Sequence, residues 1–500
     1  MALSISKSRF MAGVQCLKRL YLLVHQPELG AGKSAADFAL MEQGRQVGKL
    51  AQRLFPGGVE VRTGNPQEAV RVTQELIAKG TPAIYEAAFE HEGVFVRVDI
   101  LHRRTDGRWR VIEVKSSASM KEEHVDDVAI QYRVVSNCGL NVASCHLATV
   151  NRQYVFTGGN IEPWRFFRIR NLTRRVQSLQ PKLIFQLRSE FRVLAMPAAP
   201  DIPTGKHCVQ PVVCEFYDHC NQPRPDEHVG FLPYIHASAV EELKEIGVES
   251  IRDIPDEFEL TEIQRRAATC VQTGHPWFSP ELPAELAKLE YPVYFLDFET
   301  VNPAIPQFVG MRPYDHLPFQ WSLHVEREPR AELEHHEFLA ADKTDLRREF
   351  IASLCDVVGE RGSIVVYNQQ FESARLSDLA SWVPEFAEWI TSIQSRLYDL
   401  LPAIRSHVYH PAFAGSYSLK AVLPALVPEM TYDGMAVANG VDAGLAWESL
   451  VQERMDQGER EKSKKALLAY CSQDTLALFR LLELLRQRIA LPHDHAHRTD

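Results

Sequence analysis

An apolar strand that ends in two carboxylates constrains this 500-residue chain more than any other feature of its sequence. In the stretch YPVYFLDFET, residues 291–300, an apolar run from Val293 to Leu296 is followed by Asp297 and Glu299. Side chains two positions apart on a strand point to the same face, so both acidic groups share one surface. Like charges in apolar surroundings repel each other unless a cation lies between them. The strand therefore predicts a cation site.

Three later segments offer acidic partners for this strand. Glu372 follows a predicted strand in IVVYNQQFESARL, Asp399 follows the next segment in SRLYDLLPAI, and Asp474 lies in YCSQD. Tyr470 precedes Asp474 by four residues, so a helix carries both on one face. Convergent carboxylates suit two Mg²⁺ or Mn²⁺ ions about 4 Å apart, the arrangement that hydrolyses phosphodiesters. We therefore expect a metal-dependent nuclease site in this region.

FLDFET, YNQQFE and YCSQD, in this order, resemble the three motifs of the DnaQ-like DEDD exonucleases, which have a ribonuclease H-like fold. The resemblance implies that Asp297, Glu299 and Asp474 are metal ligands and that Tyr470 orients the attacking water. The second motif of that family usually has Asp, so here Glu372 takes its place or Asp399 shares the role. A degenerate site without activity is the alternative.

A second acidic set lies in the N-terminal region. VFVRVDIL places Asp99 late in one strand, and RWRVIEVKSS places Glu113 and Lys115 on one face of the next. Two carboxylates suit a divalent ion, and an ammonium group can stabilise or deprotonate the attacking water. The set resembles the PD-(D/E)XK nuclease core, in which Glu86 of IYEAAF adds a ligand and Gln131 matches the helix Gln of RecB-like members. An ordinary amphipathic strand is the alternative.

Nine cysteines without a secretion signal argue against a disulfide framework and for metal, cluster or core roles. HCVQPVVCEFYDHC follows the second acidic set with three of them, and VQCLKRLYL precedes it with one. This arrangement resembles the iron–sulfur members of the RecB-like nucleases, such as AddB and CRISPR-associated relatives, and implies a 4Fe–4S cluster on four thiolates. The implied ligands are Cys16, Cys208, Cys214 and Cys220. Zinc, with His207 or His219 as a substitute ligand, and three unrelated core cysteines remain alternatives.

The pattern of strands and helices predicts an α/β protein in successive domains. We expect a PD-(D/E)XK nuclease-like domain at 1–225, a small helical connector at 226–285, a ribonuclease H-like domain with a mixed sheet at 286–490, and a disordered tail at 491–500. Around Gly247 the connector resembles a helix-hairpin-helix, although an ordinary helical connector fits as well. End to end, the chain resembles a bacterial family of uncharacterised proteins that joins these parts.

The composition limits partners and location. A formal charge of −10 is not typical of a nucleic-acid binder, but 101–110 and 165–175 are locally basic, and a local stripe is enough for binding. We expect single-stranded DNA, or alternatively RNA, as the partner. The sequence has neither a signal peptide nor an apolar run long enough to span a membrane, so we expect a cytoplasmic protein without a membrane partner.

GAGKSAAD, residues 30–37, is not a phosphate-binding loop, because Pro27 stands where the motif requires Gly. Any helicase or ATPase motor is therefore expected on a separate chain. A nucleic-acid-binding or redox-responsive adaptor with one or both nuclease sites inactive is the alternative function.

Overall fold

The computed structural model describes residues 4–221, 227–452 and 455–490. The chain divides into two compact units: unit 1 comprises Met1–Gln222 and Pro303–Asp315, and unit 2 comprises Pro223–Asn302 and His316–Asp500. Each unit combines a β-sheet with helices, which confirms the predicted α/β class. The predicted domain boundary at residue 225 and the predicted disordered tail at 491–500 lie outside the described residues.

Unit 1 is built on one mixed sheet. Its strands are β1 (Ile5–Ser6), β2 (Val59–Glu60), β3 (Ala83–His91), β4 (Val94–Arg103), β5 (Trp109–Lys115), β6 (Val142–Val150) and β7 (Phe167–Asn171). The strand order is β2-β3-β4-β5-β6-β7, and β1 pairs with the beginning of β4. Strand β4 is antiparallel to both of its neighbours, β3 and β5, whereas β5 and β6 are parallel. Val, Ile and Ala residues dominate the buried positions of these strands.

The helices of unit 1 are α1 (Lys7–Gln15), α2 (Leu17–His25), α3 (Ala35–Gln52), α4 (Pro66–Ala78), α5 (Glu122–Asn137), α6 (Pro163–Phe166), α7 (Thr173–Ser178), α8 (Gln180–Leu194) and α9 (Tyr217–Cys220). Helix α5 makes the crossover between the parallel strands β5 and β6, so it lies on one face of the sheet. Its apolar residues, including Val125, Val128 and Ile130, are buried in the core of the unit. That packing holds the polar residues of α5 over the centre of the sheet.

Unit 2 contains a five-stranded mixed sheet and a short two-stranded one. Its strands are β8 (Trp277–Phe278), β9 (Val293–Val301), β10 (Leu317–Glu326), β11 (Glu334–Leu339), β12 (Ser363–Val366), β13 (Leu397–Asp399) and β14 (Val408–Tyr409). The main order is β11-β10-β9-β12-β13. Strand β10 is antiparallel to both of its neighbours, whereas β9, β12 and β13 run parallel. Residues 303–315, which link β9 to β10, belong to unit 1.

The helices of unit 2 are α10 (Ala237–Glu245), α11 (Glu262–Thr273), α12 (Leu282–Leu286), α13 (Arg347–Cys355), α14 (Gln369–Trp382), α15 (Ala387–Ser395), α16 (Leu400–His407), α17 (Leu419–Leu426), α18 (Gly440–Val451) and α19 (Gln457–Ala490). Gly247 follows α10 with a φ of +80°, and a three-residue 3₁₀ turn, Ile251–Asp253, comes next. Leu243 and Ile251 of this segment are buried in the core of unit 2.

A polar seam fixes the position of α19 on the sheet. All ten residues of β10 are buried, and four of those that face α19 are polar. Gln320 Nε2 donates to the Leu467 carbonyl at 2.8 Å, and Ser322 Oγ lies 2.8 Å from Thr475 Oγ1. Unpaired polar groups in a core are costly, so a shift of α19 along the strand loses these bonds. The seam therefore sets the register in which α19 meets β9.

No helix in the described parts of the chain is long and apolar enough to cross a bilayer.

Candidate active sites and cysteine cluster

Strand β9 carries two carboxylates of the acidic cluster in unit 2. Asp297 and Glu299 lie two positions apart, and the strand register pairs them with Ser322 and Gln320 of β10. Directly opposed residues of antiparallel strands share a face, and that face of β10 is the one that bonds to α19. Both carboxylates therefore point toward α19.

Helix α19 supplies the third carboxylate. One oxygen each from Asp297, Glu299 and Asp474 can be chosen so that all lie within 4.8 Å of one another. The Tyr432 hydroxyl donates a hydrogen bond to Asp474 Oδ1, and the ring centre of Tyr470, one helical turn before Asp474, lies 6.1 Å from that of Tyr432. Among the described residues, this is the one group of three His, Cys, Asp or Glu side chains that converges so closely. The geometry suits a divalent cation.

The electrostatics of this cluster point the same way. Burial, and next the charge of Asp474, raises the pKa of Asp297 to about 7. Burial also raises the pKa of Asp474 to about 6, although the hydrogen bond from Tyr432 opposes the rise. The pKa of Glu299 is raised well above its ordinary value by burial and then by both aspartates. A bound dication reverses all three effects, so these residues fit a metal ion of the Mg²⁺ or Mn²⁺ type.

Glu372 lies next to this cluster with an unused oxygen. It is in the first turn of α14, its side chain is buried, and its Oε2 atom has no hydrogen-bond partner. Burial, followed by the charge of Asp297, raises its pKa to about 9. An orphaned buried carboxylate oxygen beside three others is suited to a fourth ligand. The longer side chain of Glu at this position is therefore compatible with the predicted role.

Asp399, predicted as the residue that shares the metal with Glu372, has both carboxylate oxygens bonded to backbone N–H groups. Its carboxylate accepts hydrogen bonds from the backbone N–H groups of Asn368 at 3.0 Å, Gln369 at 2.9 Å and Leu401 at 3.0 Å. It thereby caps α16 and ties the beginning of α14 to the end of β13. Asp399 thus positions the helix that carries Glu372.

Two residues beside the cluster were missed from the sequence. Lys420 Nζ lies 5.3 Å from the centre of the Tyr432 ring and 5.5 Å from that of Tyr470, and its charge lowers the pKa of Glu299 and Asp474. Lys420 and Tyr432 come from a segment outside the three motifs. No spacing or pattern in the sequence links that segment to the acidic residues.

In unit 1 three neighbouring strands form a row of carboxylates. Continuing the observed register places Glu86 of β3 opposite Asp99 of β4, and Asp99 opposite Glu113 of β5. Asp99 Oδ2 accepts a hydrogen bond from the Val114 N–H at 2.6 Å. Burial, then the charge of Glu113, raises the pKa of Asp99 well above its ordinary value. The structure thus brings the predicted acidic residues of unit 1 together.

Helix α5 completes this site with an amide and a further carboxylate. Gln131 Nε2 donates to Glu113 Oε2 at 2.6 Å and to Asp127 Oδ1 at 2.9 Å. Lys115 Nζ lies 2.7 Å from Glu113 Oε1 and 2.6 Å from Asp127 Oδ2. Asp127 was missed, although it precedes Gln131 by four residues and so lies on the same helical face.

Lys7 also belongs to this site but was not predicted from the sequence, because no local sequence pattern indicates its role. Its Nζ atom lies 2.9 Å from Glu113 Oε1 and 3.1 Å from Glu113 Oε2, although 106 residues separate the two in sequence. It also lies 3.1 Å from Asp127 Oδ1. Although burial opposes the shift, the charges of Lys7 and Lys115 lower the pKa of Asp127. Glu113 and Asp127 are thus paired with two ammonium groups.

The four predicted cluster cysteines line one pocket of unit 1. Cys16 lies between α1 and α2, and it lines this pocket together with Cys208, Cys214 and Cys220. The Cys214 N–H donates to the Cys208 carbonyl at 2.8 Å, which closes the loop between them. Gln15 Nε2 donates to two carbonyls of the Cys208 region, at 2.7 and 2.8 Å, so it fastens α1 to this loop.

The spacing of these thiols bears on what they can hold. All four are free thiols, and no three cysteine sulfurs in the described ranges lie within 4.8 Å of one another. Tetrahedral Zn–S bonds of about 2.3 Å bring sulfurs to within roughly 3.8 Å of each other. The four thiols are thus not all at the spacing of the ligands of a bound zinc ion. His207 also lines it, with Nε2 3.6 Å from Cys208 Sγ.

Comparisons with known proteins give a domain and a distant relative, both without an assigned function. Residues 294–418 match the domain of unknown function DUF2779, a range that includes Asp297, Glu299, Glu372 and Asp399. The uncharacterized protein UU173 of Ureaplasma parvum serovar 3 is 22% identical over 224 residues, which make up 41% of this chain and 32% of that protein. The chain thus spans about a third of that relative's length. The crystal structure of SSO0001 matches with a TM-score of 0.18 and 15% identity, over 40% of this chain and 89% of that one.

Proposed function

We propose that unit 2 is a divalent-metal-dependent exonuclease that shortens single-stranded nucleic acid from its 3′ end. The observation that carries the proposal is the convergence of Asp297, Glu299 and Asp474 within 4.8 Å on a mostly buried surface. No lysine or arginine forms an ion pair with any of the three among the described residues. The resemblance of the three motifs to DEDD exonucleases and the mixed sheet of unit 2 support the same function.

In this proposal each side chain has a separate task. Asp297, Glu299 and Asp474 hold the cations, with Glu372 as the fourth carboxylate. Bound Mg²⁺ or Mn²⁺ supplies a water of lowered pKa and stabilises the leaving oxygen of the phosphodiester. Tyr432, whose hydroxyl bonds to Asp474, holds that carboxylate, and Tyr470 orients the attacking water. Lys420 pairs with a substrate phosphate.

We propose a second nuclease site in unit 1, which cleaves DNA. Asp99, Glu113 and Glu86 form the acidic row, Lys115 supplies the ammonium group, and Gln131 orients Glu113. Buried Gln131 Oε1 has no hydrogen-bond partner, so the site has an acceptor to spare for a cation or substrate donor. The resemblance to the PD-(D/E)XK core supports this assignment.

We propose a 4Fe–4S cluster on Cys16, Cys208, Cys214 and Cys220, which ties the N-terminal helices to the loop at 206–220. The pocket that the four cysteines line together and their order along the chain, which resembles that of iron–sulfur RecB-like nucleases, support it. Anaerobic purification followed by iron and sulfide analysis and a visible absorbance scan tests it. Brown protein with four irons per chain is expected; colourless, zinc-loaded protein contradicts the assignment.

Exposed arginines provide a place for the nucleic acid on unit 1. Arg168 and Arg170 lie two positions apart on β7, at the edge of the sheet, and both are exposed. Such a stripe attracts the phosphate backbone despite the overall charge of −10. Single-stranded DNA is the favoured substrate and RNA the second, and a separate helicase or ATPase supplies any unwinding.

The decisive experiment uses end-labelled single- and double-stranded DNA and RNA with Mn²⁺. Asp297→Asn should abolish stepwise 3′ shortening, and Glu113→Gln should abolish the remaining DNA cleavage. Asp433→Asn, an exposed aspartate next to Tyr432, is the matched control. If both active-site variants give the wild-type product pattern, both assignments fail.

A nucleic-acid-binding adaptor with an inactive unit 1 is the second candidate. One observation favours it: Lys7, Lys115 and Gln131 already pair with the carboxylate oxygens of Glu113. Tight binding of single strands without cleavage in Mg²⁺ or Mn²⁺ supports this role. Cleavage that Glu113→Gln abolishes excludes it.

A further inference from the structure

Lys7 occupies an unusual position for a lysine. It is the first residue of α1, where the unpaired N–H groups of a helix favour negative charge, and the first turn of α1 contains no acidic residue. Its side chain is 21% exposed, and its Nζ atom reaches two buried carboxylates. Neither local helix electrostatics nor solvation accounts for this placement. The carboxylates of the acidic row do.

The backbone around Lys7 is built to hold it there. Strand β1 pairs with the beginning of β4, and Ile5 is fully buried in the core. Gly13 lets α1 approach α8, because a Cβ atom there would lie 2.5 Å from Glu190 Oε1. Lys7 is therefore not a free terminal arm but a fixed part of the site.

We propose that Lys7 fills a cation position between Glu113 and Asp127, so that unit 1 accepts one divalent cation fewer than its carboxylates could hold. Lys7 Nζ lies 2.9 Å from Glu113 Oε1 and 3.1 Å from Asp127 Oδ1, so its ammonium group already supplies a positive charge between the two carboxylates. Lys7 and Lys115 form ion pairs with Glu113 and Asp127, whereas Asp99 and Glu86 form none among the described residues, so these two carboxylates are left for one dication. Gln131 Oε1, buried and without a partner, is left as an acceptor beside the remaining carboxylates.

This inference rests on the proposed metal-dependent role of unit 1. It predicts that the two units bind different numbers of metal ions. Unit 1 is a one-metal site whose second cation is an amino acid, whereas unit 2 takes two ions. Lys7 thereby also keeps a positive charge next to a bound phosphodiester at any metal concentration.

Metal counting tests the inference. The full-length protein with Asp297→Asn and Asp474→Asn, which disables the unit 2 cluster, serves as the parent. Calorimetric titration with Mn²⁺ should show one more bound ion after Lys7→Met than in the parent, or at least a tenfold lower Kd. Lys7→Arg should match the parent, and so should Lys79→Met, which removes an exposed lysine of the same unit.

Lys7→Gln is a second test variant in case Lys7→Met does not fold. It also removes the positive charge, but its amide keeps a hydrogen-bond donor at this position. Melting curves with and without Mn²⁺ give the same comparison, since a ligand that binds the folded state raises Tm. Equal stoichiometry and Kd in the parent, Lys7→Met and Lys7→Gln overturn the inference. If Mn²⁺ binding is equal in all three proteins but Glu113→Gln still abolishes DNA cleavage, the inference about Lys7 fails while the proposed nuclease function of unit 1 stands.

Discussion

The two acidic sites face the same electrostatic problem and differ in how it is met. In unit 1, Lys7 and Lys115 lie within ion-pair distance of Glu113 and Asp127, so the charges are compensated by the chain itself. In unit 2, three carboxylates converge without an ion pair to a lysine or arginine in the described ranges; burial raises the pKa values of all three, and mutual repulsion adds to the rise at Asp297 and Glu299. Carboxylates that pair with lysines of the same unit, as in unit 1, need no bound ion to be stable. Carboxylates without such partners, as in unit 2, depend on bound cations. Of the two proposed metal sites, we therefore expect that of unit 2 to bind its cations more tightly.

The largest effect is expected from loss of the metal ligands in unit 2. Asp297→Asn should reduce 3′ shortening by about a hundredfold or more, because even outer-shell changes at metal sites cost 10–100-fold. Chelation by EDTA should do the same to the wild type, and Mn²⁺ should restore only the wild type. Rates on a 3′-labelled single strand provide the measurement, with Asp433→Asn as the control. Activity that survives EDTA contradicts a metal-dependent mechanism.

Substitutions that remove charge should have opposite effects on the stability of the two units. Lys115→Met leaves buried Glu113 and Asp127 with one cation fewer, so it should destabilise unit 1 by about 3 kcal/mol. Glu299→Gln removes a carboxyl group whose ionised form is disfavoured by burial and by both aspartates, so it should stabilise metal-free unit 2 at neutral pH. Calorimetric unfolding in EDTA measures both. The contrast between the units breaks down if both variants shift stability in the same direction.

The pH dependence of metal-free unit 2 follows from its raised pKa values. Folded Asp297 and Asp474 keep protons up to pH values of about 7 and about 6, whereas the unfolded chain releases them near pH 4. The folded state binds more protons in that window, so stability falls as pH rises through it and then levels off. Melting in EDTA at a series of pH values should show this slope. It should flatten in Asp297→Asn/Asp474→Asn and in wild type with Mn²⁺.

The smallest effect is expected at Lys420. Lys420 is exposed and lies over two tyrosine rings beside the cluster. It should therefore contact a substrate phosphate rather than the carboxylates that bind the metal. Lys420→Ala should raise KM about tenfold at little cost in kcat, since one such contact contributes about 1–2 kcal/mol. Lys420→Arg should retain most of the affinity. A large loss of kcat in both variants would instead place Lys420 in the chemical step.

The parts of the sites that follow local periodicity could be predicted from the sequence. Asp297 and Glu299 share a face because strands have a period of two, and Tyr470 and Asp474 share one because helices bring every fourth residue together. The four cysteines could be grouped because their order around the nuclease-like core resembles a known arrangement. In each case neighbours in the sequence, or a familiar order, carried the information.

The remaining residues depend on tertiary packing that no local pattern encodes. Lys7 reaches Glu113 across 106 residues only because β1 pairs with β4. Tyr432 reaches Asp474 from a loop with no motif. Asp399 resembles a metal ligand in sequence, but its oxygens accept backbone hydrogen bonds that exist only in the folded chain. The assignment of residues 303–315 to unit 1 is likewise a matter of packing.

An anomalous difference map from a crystal soaked in Mn²⁺ tests the metal site of unit 2 most directly. We expect strong peaks bounded by Asp297, Glu299 and Asp474, at about 2.2 Å from their oxygens, and no such peaks in Asp297→Asn/Asp474→Asn. A well-soaked crystal whose only manganese lies elsewhere on the molecule would contradict the nuclease assignment of unit 2.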